Sequence, residues 1–359
     1  MAFSEFNYIS IKGVAAAVPR TTVIIDSLMP VFGTETINSL KLRTGIKSFR
    51  KSDKLQTTSD LGYKAAIELI DQQGIDKDLL CFVIFISKTP DYRSPATATV
   101  LHKRLGLSQD CIAFDINLGG AGFVYGLQIG CSLLENTNKN LGVLVIGDTP
   151  SKQFGSSDPD SIIFGDCSSA IILEKKSGVE PIYVQTGSDG DKLKSFFIRG
   201  GGFRILNNKT DKKRNEKIQG TSDNLVIDWP EYISFAVSGM NDMINDFLGK
   251  CQMSIGEYDF LAFAREIEKN LDVLREEIMI NSKNNNVISL FGDVCGSLVP
   301  LLLVENFGNI GNVDLHILAA GYGEGLSFGL ADFFVNTQAI LPLIETDAIY
   351  EDGNVSRDF

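Results

Sequence analysis

The stretch FDINLGGAGFVYGL, residues 114–127, carries an apolar strand into a corner of small residues and then into an apolar helix. Such a corner holds one residue at a helix N-terminus, where unpaired N–H groups and the helix dipole favour negative charge. A nucleophile placed there gains a depressed pKa and an oxyanion site. The residue at the corner's centre is Gly120, and the alternative reading is a glycine corner that only lets strand and helix pack closely. Other reactive side chains are few. His102 and His316 are the only histidines. His102, beside Lys103 and Arg104 in a helix-like stretch, suits a solvated or interface position; His316, in an apolar strand, suits a hydrogen-bonded core imidazole. The six cysteines (Cys81, Cys111, Cys131, Cys167, Cys251, Cys295) form no C-x-x-C pair, and several lie inside apolar runs. They read as reduced, packed thiols, not as zinc ligands or disulfides.

The elements that must hold this corner alternate between strand-like and helix-like runs, the pattern of an α/β fold. Residues 8–17 are β-rich. Thr58 or Ser59 can cap a helix that carries Leu61, Ala65, Leu69 and Ile70 on one face. LLCFVIFIS, starting at residue 79, is a continuous apolar run, as expected of a strand covered on both faces. A helix over 97–105 leads to a second buried strand at 111–116, the corner, a helix over 121–135, and a third buried strand at 141–146 closed by Gly147. Polar, turn-rich residues 203–225 separate this half from a second one. There we expect a helix after Trp229, a strand at 260–264, a helix near 267–280, a helix-like run at 298–303 and a strand at 313–320. The glycine-rich GYGEG at 321–325 follows. The expected divisions are 1–180, 181–337 and an acidic tail, 338–359, ordered only by packing.

A chain of 359 residues, 44% apolar and 22% charged, can bury a sizeable core. It contains no unbroken 18-residue apolar run, so no membrane span is expected. The first residues lack a basic segment followed by an apolar block, so we expect no signal peptide and a cytoplasmic location. Net charge −12 argues against non-specific nucleic-acid binding and against anionic membranes. Against that acidity, Lys209, Lys212, Lys213, Arg214 and Lys217 form a basic cluster, either a solvated loop or a surface that docks an acidic carrier by electrostatic steering.

Several segments in register resemble the thiolase superfamily, most closely β-ketoacyl-acyl-carrier-protein synthase III. RTGI at 43–46, SPATATVLHKRLGL at 94–107 and the 114–127 corner match in order, the corner being similar to D-I-N-x-x-C-A-G-F. IIFGDCSSAIILE at 162–174 resembles F-G-D-G-A-x-A, FGDVCGSLVPLLL at 291–303 resembles Y-G-N-T-S-x-A-S-I-P, and AAGYGEGLSFG at 319–329 resembles the closing G-F-G-G-G-x-x-x-G loop. The resemblance implies two pseudo-repeated mixed-sheet halves in a layered α-β-α-β-α arrangement. It also implies a dimer through the strand near 141–146 and its surroundings, an acyl carrier protein as partner, and CoA or phosphopantetheine thioesters as ligands, with no other cofactor and no metal. Arg43 falls near the family's CoA entrance, although Ser39 stands where the family has an adenine-stacking tryptophan. Gly323, like Gly119 and Gly120, could present a backbone N–H toward a carbonyl.

The departures weigh more than the matches. The family's Cys nucleophile corresponds to Gly120, its His to Ala264 and its Asn to Asp293. Glycine has no side chain to acylate, so a covalent intermediate cannot form there. Removing the nucleophile of a coordinated catalytic unit typically costs roughly six orders of magnitude in turnover. Ala264 offers no donor to a developing enolate, and an ionised Asp293 would oppose its charge. Cys295, two residues beyond Asp293, is the candidate for rescue; Cys111 and Cys167 read as packing. The sequence therefore leads us to expect a member inactive in condensation, acting as a silent subunit in a homodimer or beside an active paralogue. The alternatives are an acyltransferase with relocated chemistry at Cys295 or Asp293, and a non-enzymatic acyl-thioester-binding protein.

Overall fold

A computed structural model of the chain describes residues 1–153, 159–198, 200, 225–235, 239–263 and 285–351. Two mixed sheets dominate them. In chain order their strands are β1 (Ala2–Phe6), β2 (Ile9–Val18), β3 (Leu80–Ile86), β4 (Ile112–Ile116), β5 (Leu141–Asp148) and β6 (Cys167–Lys175). There follow β7 (Ile182–Ser188), β8 (Phe260–Ala262), β9 (Asp314–Gly323), β10 (Ser327–Asn336) and β11 (Ile344–Glu345). The first sheet has the order β11-β2-β6-β5-β3-β4 and the second β1-β7-β10-β9-β8. Each sheet contains parallel and antiparallel pairs.

Burial explains the layers. Every residue of β3 and of β5 is buried, as continuous apolar strands in the middle of a covered sheet should be. On the outer face of the first sheet lie α1 (Thr58–Gln72) and α2 (Thr97–Leu105), whose Leu61, Ala65, Leu69 and Leu101 are fully buried. Between the sheets run α3 (Gly122–Glu135) and, further along the chain, a helix at Leu298–Phe307. Each packs against strands of both sheets. Phe123, Val124, Leu127 and Leu134 on α3 are 0–1% exposed, and burying side chains of that kind contributes roughly 1.5–3 kcal/mol each. On the far face of the second sheet, the helix Met240–Cys251 sets Phe247 against Phe3 of β1. The layered α-β-α-β-α arrangement is therefore present, with mixed sheets.

Local expectations held in most places, and the differences have physical reasons. The cap of α1 is Thr57, one residue ahead of Thr58 and two ahead of Ser59, because Asp60 reaches back to accept the Thr57 backbone N–H at 2.9 Å. The third apolar strand continues through Gly147 to Asp148, since β6 pairs with it throughout. That strand lies between β6 and β3, and the edges of this sheet are β11 and β4; β4, expected as a buried strand, has Ile112 exposed and its other residues half-buried because no strand covers that edge. The tail is held by more than packing. Leu341 and Thr346 donate backbone N–H groups to Val14 and Val18, β11 pairs with β2, and Glu345 meets Arg50 at 2.6 Å. Tyr350 then closes over Arg104, which is paired with Asp60 at 2.9 Å and sandwiched between the Tyr63 and Tyr350 rings. Strands are exchanged between the halves: β1 joins the second sheet and β11 the first. Ala264, the expected helix near 267–280 and the basic residues Lys209, Lys212, Lys213, Arg214 and Lys217 lie outside the described residues.

Candidate functional site

The chain after β4 turns through residues 117–121 and enters α3, with the Gly122 N–H bonded to the Gly119 carbonyl at 2.7 Å. The corner is pressed against the C-terminal end of β9. A Cβ added to Gly120 would lie 2.1 Å from the Tyr322 carbonyl oxygen and 3.5 Å from the Gly323 Cα. Those are backbone atoms, so only glycine fits while the strand keeps its place. At Gly119 the obstacle differs, for there an added Cβ would meet the Glu324 carboxylate, 2.5 Å away, which is the end of a flexible side chain. Position 120 thus lacks a side chain and also the space for one.

Beside the corner is a cavity of about 50 Å³, room for about two water molecules. Among the described residues its wall includes Gly120, Lys88, Asp293, Cys295, Gly323 and Glu324. Lys88 follows β3, Asp148 ends β5, and the corner follows β4, so three strands deliver their carboxyl ends to one place, as open α/β sheets commonly do at binding sites. The Lys88 ammonium is 2.5 Å from Glu324 Oε1 and lies 4.9 Å from the Phe196 ring centre and 5.6 Å from that of Phe164, within cation–π range. Burial pulls the Lys88 pKa down, but Cys295, Glu324 and Asp148 together outweigh it and hold it well above the usual lysine value. It therefore stays charged, with Glu324 as counter-ion. Asp148 is fully buried; its Oδ1 accepts from the Lys88 N–H at 2.9 Å and from Ser87 Oγ at 3.1 Å, while its Oδ2 has no hydrogen-bond partner. Burial pushes this carboxyl up to about 7 against the pull of Lys88.

The structure brings Gly120, Asp293, Cys295 and Gly323 to the same cavity. Asp293 bridges to the 163–165 segment through two backbone bonds of 2.9 Å, and its Oδ1 accepts the Cys295 N–H at 2.8 Å. Burial raises its pKa, while the Cys295 N–H and Lys88 pull it down. Cys295 is buried at φ +52°, a left-handed conformation that costs a residue with a Cβ roughly 1–2 kcal/mol. Burial raises its thiol well above the usual cysteine range, and Lys88 only partly offsets this; a thiol held protonated is a poor nucleophile. Arg43 is exposed near the C-terminal end of a helix, Thr34–Thr44, whose final Thr44 and the nearby Ile46 line the cavity. Ser39 lies on the same helix and is exposed.

The remaining candidates lie elsewhere. His316 is a satisfied core imidazole: its Nε2 is 2.7 Å from Asp332 Oδ1, Tyr258 donates to the other oxygen at 2.7 Å, and Phe334 stacks on the ring at 4.0 Å. His102 bonds the Ser108 carbonyl at 2.9 Å. Burial pushes the Cys111 thiol up to about 11 and that of Cys167 up to about 12. Among the described residues no group of three or more His, Cys, Asp or Glu is placed to hold a metal ion. Reading the sequence missed Lys88, Asp148 and Glu324. The available signal was positional: Lys88 and Asp148 stand where apolar strands end.

Comparison with known proteins bears on the family and the fold. A family model for 3-oxoacyl-acyl-carrier-protein synthase III matches residues 114–190, which include the corner and β6. A β-ketoacyl-acyl-carrier-protein synthase III of Clostridium botulinum is 28% identical over 330 residues, 89% of this chain and 97% of the relative. The structure is similar to a 3-oxoacyl-acyl-carrier-protein synthase from Burkholderia xenovorans, with TM-score 0.85 and 26% identity over 96% of this chain and 99% of that one. A synthase III from Pseudomonas aeruginosa, 20% identical with TM-score 0.75 over 94% of this chain and 100% of that one, shares the fold. A synthase III of Clostridium perfringens is 30% identical over 306 residues, 81% of this chain and 89% of the relative. Sequence, fold and the order of the motifs coincide: this chain belongs to the β-ketoacyl-acyl-carrier-protein synthase III family.

Proposed function

We propose that this chain is a non-condensing member of its family, a cytoplasmic partner subunit in acyl metabolism that receives acyl thioesters without carrying the acyl group covalently. One observation supports it above the others: the Tyr322 carbonyl occupies the space that a Cβ at position 120 would need. Cys295 is a weak substitute, because its thiol is buried and kept protonated. The partner role draws on β4. This edge strand leaves Ile112 46% exposed and Phe114 and Ile116 half-buried, an open backbone edge of the kind that pairs with a second chain. The occupant is a second copy or an active paralogue.

The test is intact-mass measurement after incubation with acyl-CoAs of two to sixteen carbons, beside a condensation assay with malonyl-carrier protein. We expect no adduct and no condensation product, and co-purification with an active synthase through a pairing lost in Ile112→Lys. A covalent acyl adduct that turns over would overturn the reading.

A further inference from the structure

Resting on the reading that a thioester enters this cavity, we propose that Lys88 and Glu324 form an acid–base pair that enolises a short acyl thioester, removing and returning hydrogen at C2 without a covalent intermediate. Three features carry it. A carboxylate and an ammonium, 236 residues apart in sequence, face one another in the wall of one cavity. The carboxylate lies against Gly119, where the absent side chain leaves it room. The cavity wall includes Gly120, two residues before α3, a helix of 14 residues whose dipole favours a developing oxyanion, although the Gly122 N–H is itself taken by the Gly119 carbonyl. Its size suits a two- or three-carbon acyl head.

The step balances. Glu324 takes a C2 hydrogen as a proton; the C–H electron pair becomes the C1–C2 double bond, and the carbonyl π pair moves to oxygen. Lys88, kept charged by its surroundings, donates a hydrogen bond to that oxygen. The Glu324 carboxyl exchanges this proton with solvent water, and return of a solvent-derived proton (a deuteron in D₂O) from Glu324 to C2 restores the thioester; the sulfur never leaves. Nothing in this cycle needs the side chains missing at positions 120 and 264.

The experiment follows propionyl-CoA in D₂O with the full chain, reading loss of the C2 proton signal by NMR, and measures propionyl-CoA binding by equilibrium dialysis. Exchange should exceed the buffer rate and fall at least about 100-fold in Glu324→Gln, the range of a single general base. Lys88→Met should slow it similarly, and Lys88→Arg should keep part of it. Near-UV circular dichroism reports folding of each variant. Should Glu324→Gln not fold, Glu324→Asp decides: its shortened carboxylate should slow exchange, and an unchanged rate overturns the proposal. Binding without exchange overturns the enolisation alone. Absence of binding overturns it together with the thioester reading.

Discussion

Two polar clusters sit at opposite ends of β9, about 20 Å apart by strand rise, and they differ in what they leave unfinished. At the Asp314 end, His316, Asp332 and Tyr258 form a trio that looks catalytic on paper. Both Asp332 oxygens are taken, by His316 and Tyr258, and Phe334 covers the ring. At the Gly323 end, Lys88, Glu324 and Asp293 border a cavity, the nearby buried Asp148 has one oxygen without a partner, and Cys295 is held in a strained conformation. A satisfied network rigidifies; one with spare valence and space can receive something. Residue types alone would rank the two the other way, because only the first contains a histidine.

The contrast can be broken by substitution. The largest effect is expected at the corner: Gly120→Ala should destabilise by about 3 kcal/mol or more, since backbone must move to admit a methyl group, and urea unfolding beside Gly119→Ala, which displaces only a side chain, would show the gap. Next, Asp332→Asn should cost about 2–3 kcal/mol by the same assay, for it breaks a buried network whose partners are left unpaired. The same change at Asp148 should act with the opposite sign. Burial keeps Asp148 protonated in the native state up to about pH 7, whereas the unfolded carboxyl loses its proton near pH 4. Between those values unfolding releases a proton, so the native protein loses stability as pH rises through the window. Asp148→Asn should remove that slope and gain about 2 kcal/mol at pH 8 relative to pH 5; thermal melts of both proteins across pH 4–8 would measure it. A destabilising Asp148→Asn at pH 8 would erase the distinction between the two ends. The smallest effect is an absence of reaction: native protein at pH 7.5 should take up no iodoacetamide at Cys295, as judged by peptide mass.

How much was legible beforehand varies with how local the cause is. The apolar runs at 80–86 and 141–146 announced covered strands, and the pattern of Leu61, Ala65 and Leu69 announced the face of α1. The matching motifs ordered these into layers. The cap of α1 was misplaced by one or two residues because Thr57, Thr58 and Ser59 are equally suitable oxygens, and only the reach of Asp60 separates them. That 141–148 lies inside its sheet and β4 at an edge was not legible, because strand order in a sheet is not written in strand sequence. Lys88 sat unnoticed in a turn-like SKTPDY stretch, where a lysine ordinarily reads as solvated.

The amino-acid sequence by itself determined that no acyl group can be carried at position 120, because the absence of a side chain is a covalent fact. It also determined which segments are covered strands and which helix faces are buried, because apolar runs and periodic apolar positions must leave water; the layering was implied only by the resemblance. Only the tertiary structure decided that the Tyr322 carbonyl fills the vacated space, that Lys88 finds Glu324, and that Asp148 loses its water. These depend on which distant segments are pressed together, and packing of the whole chain sets those distances.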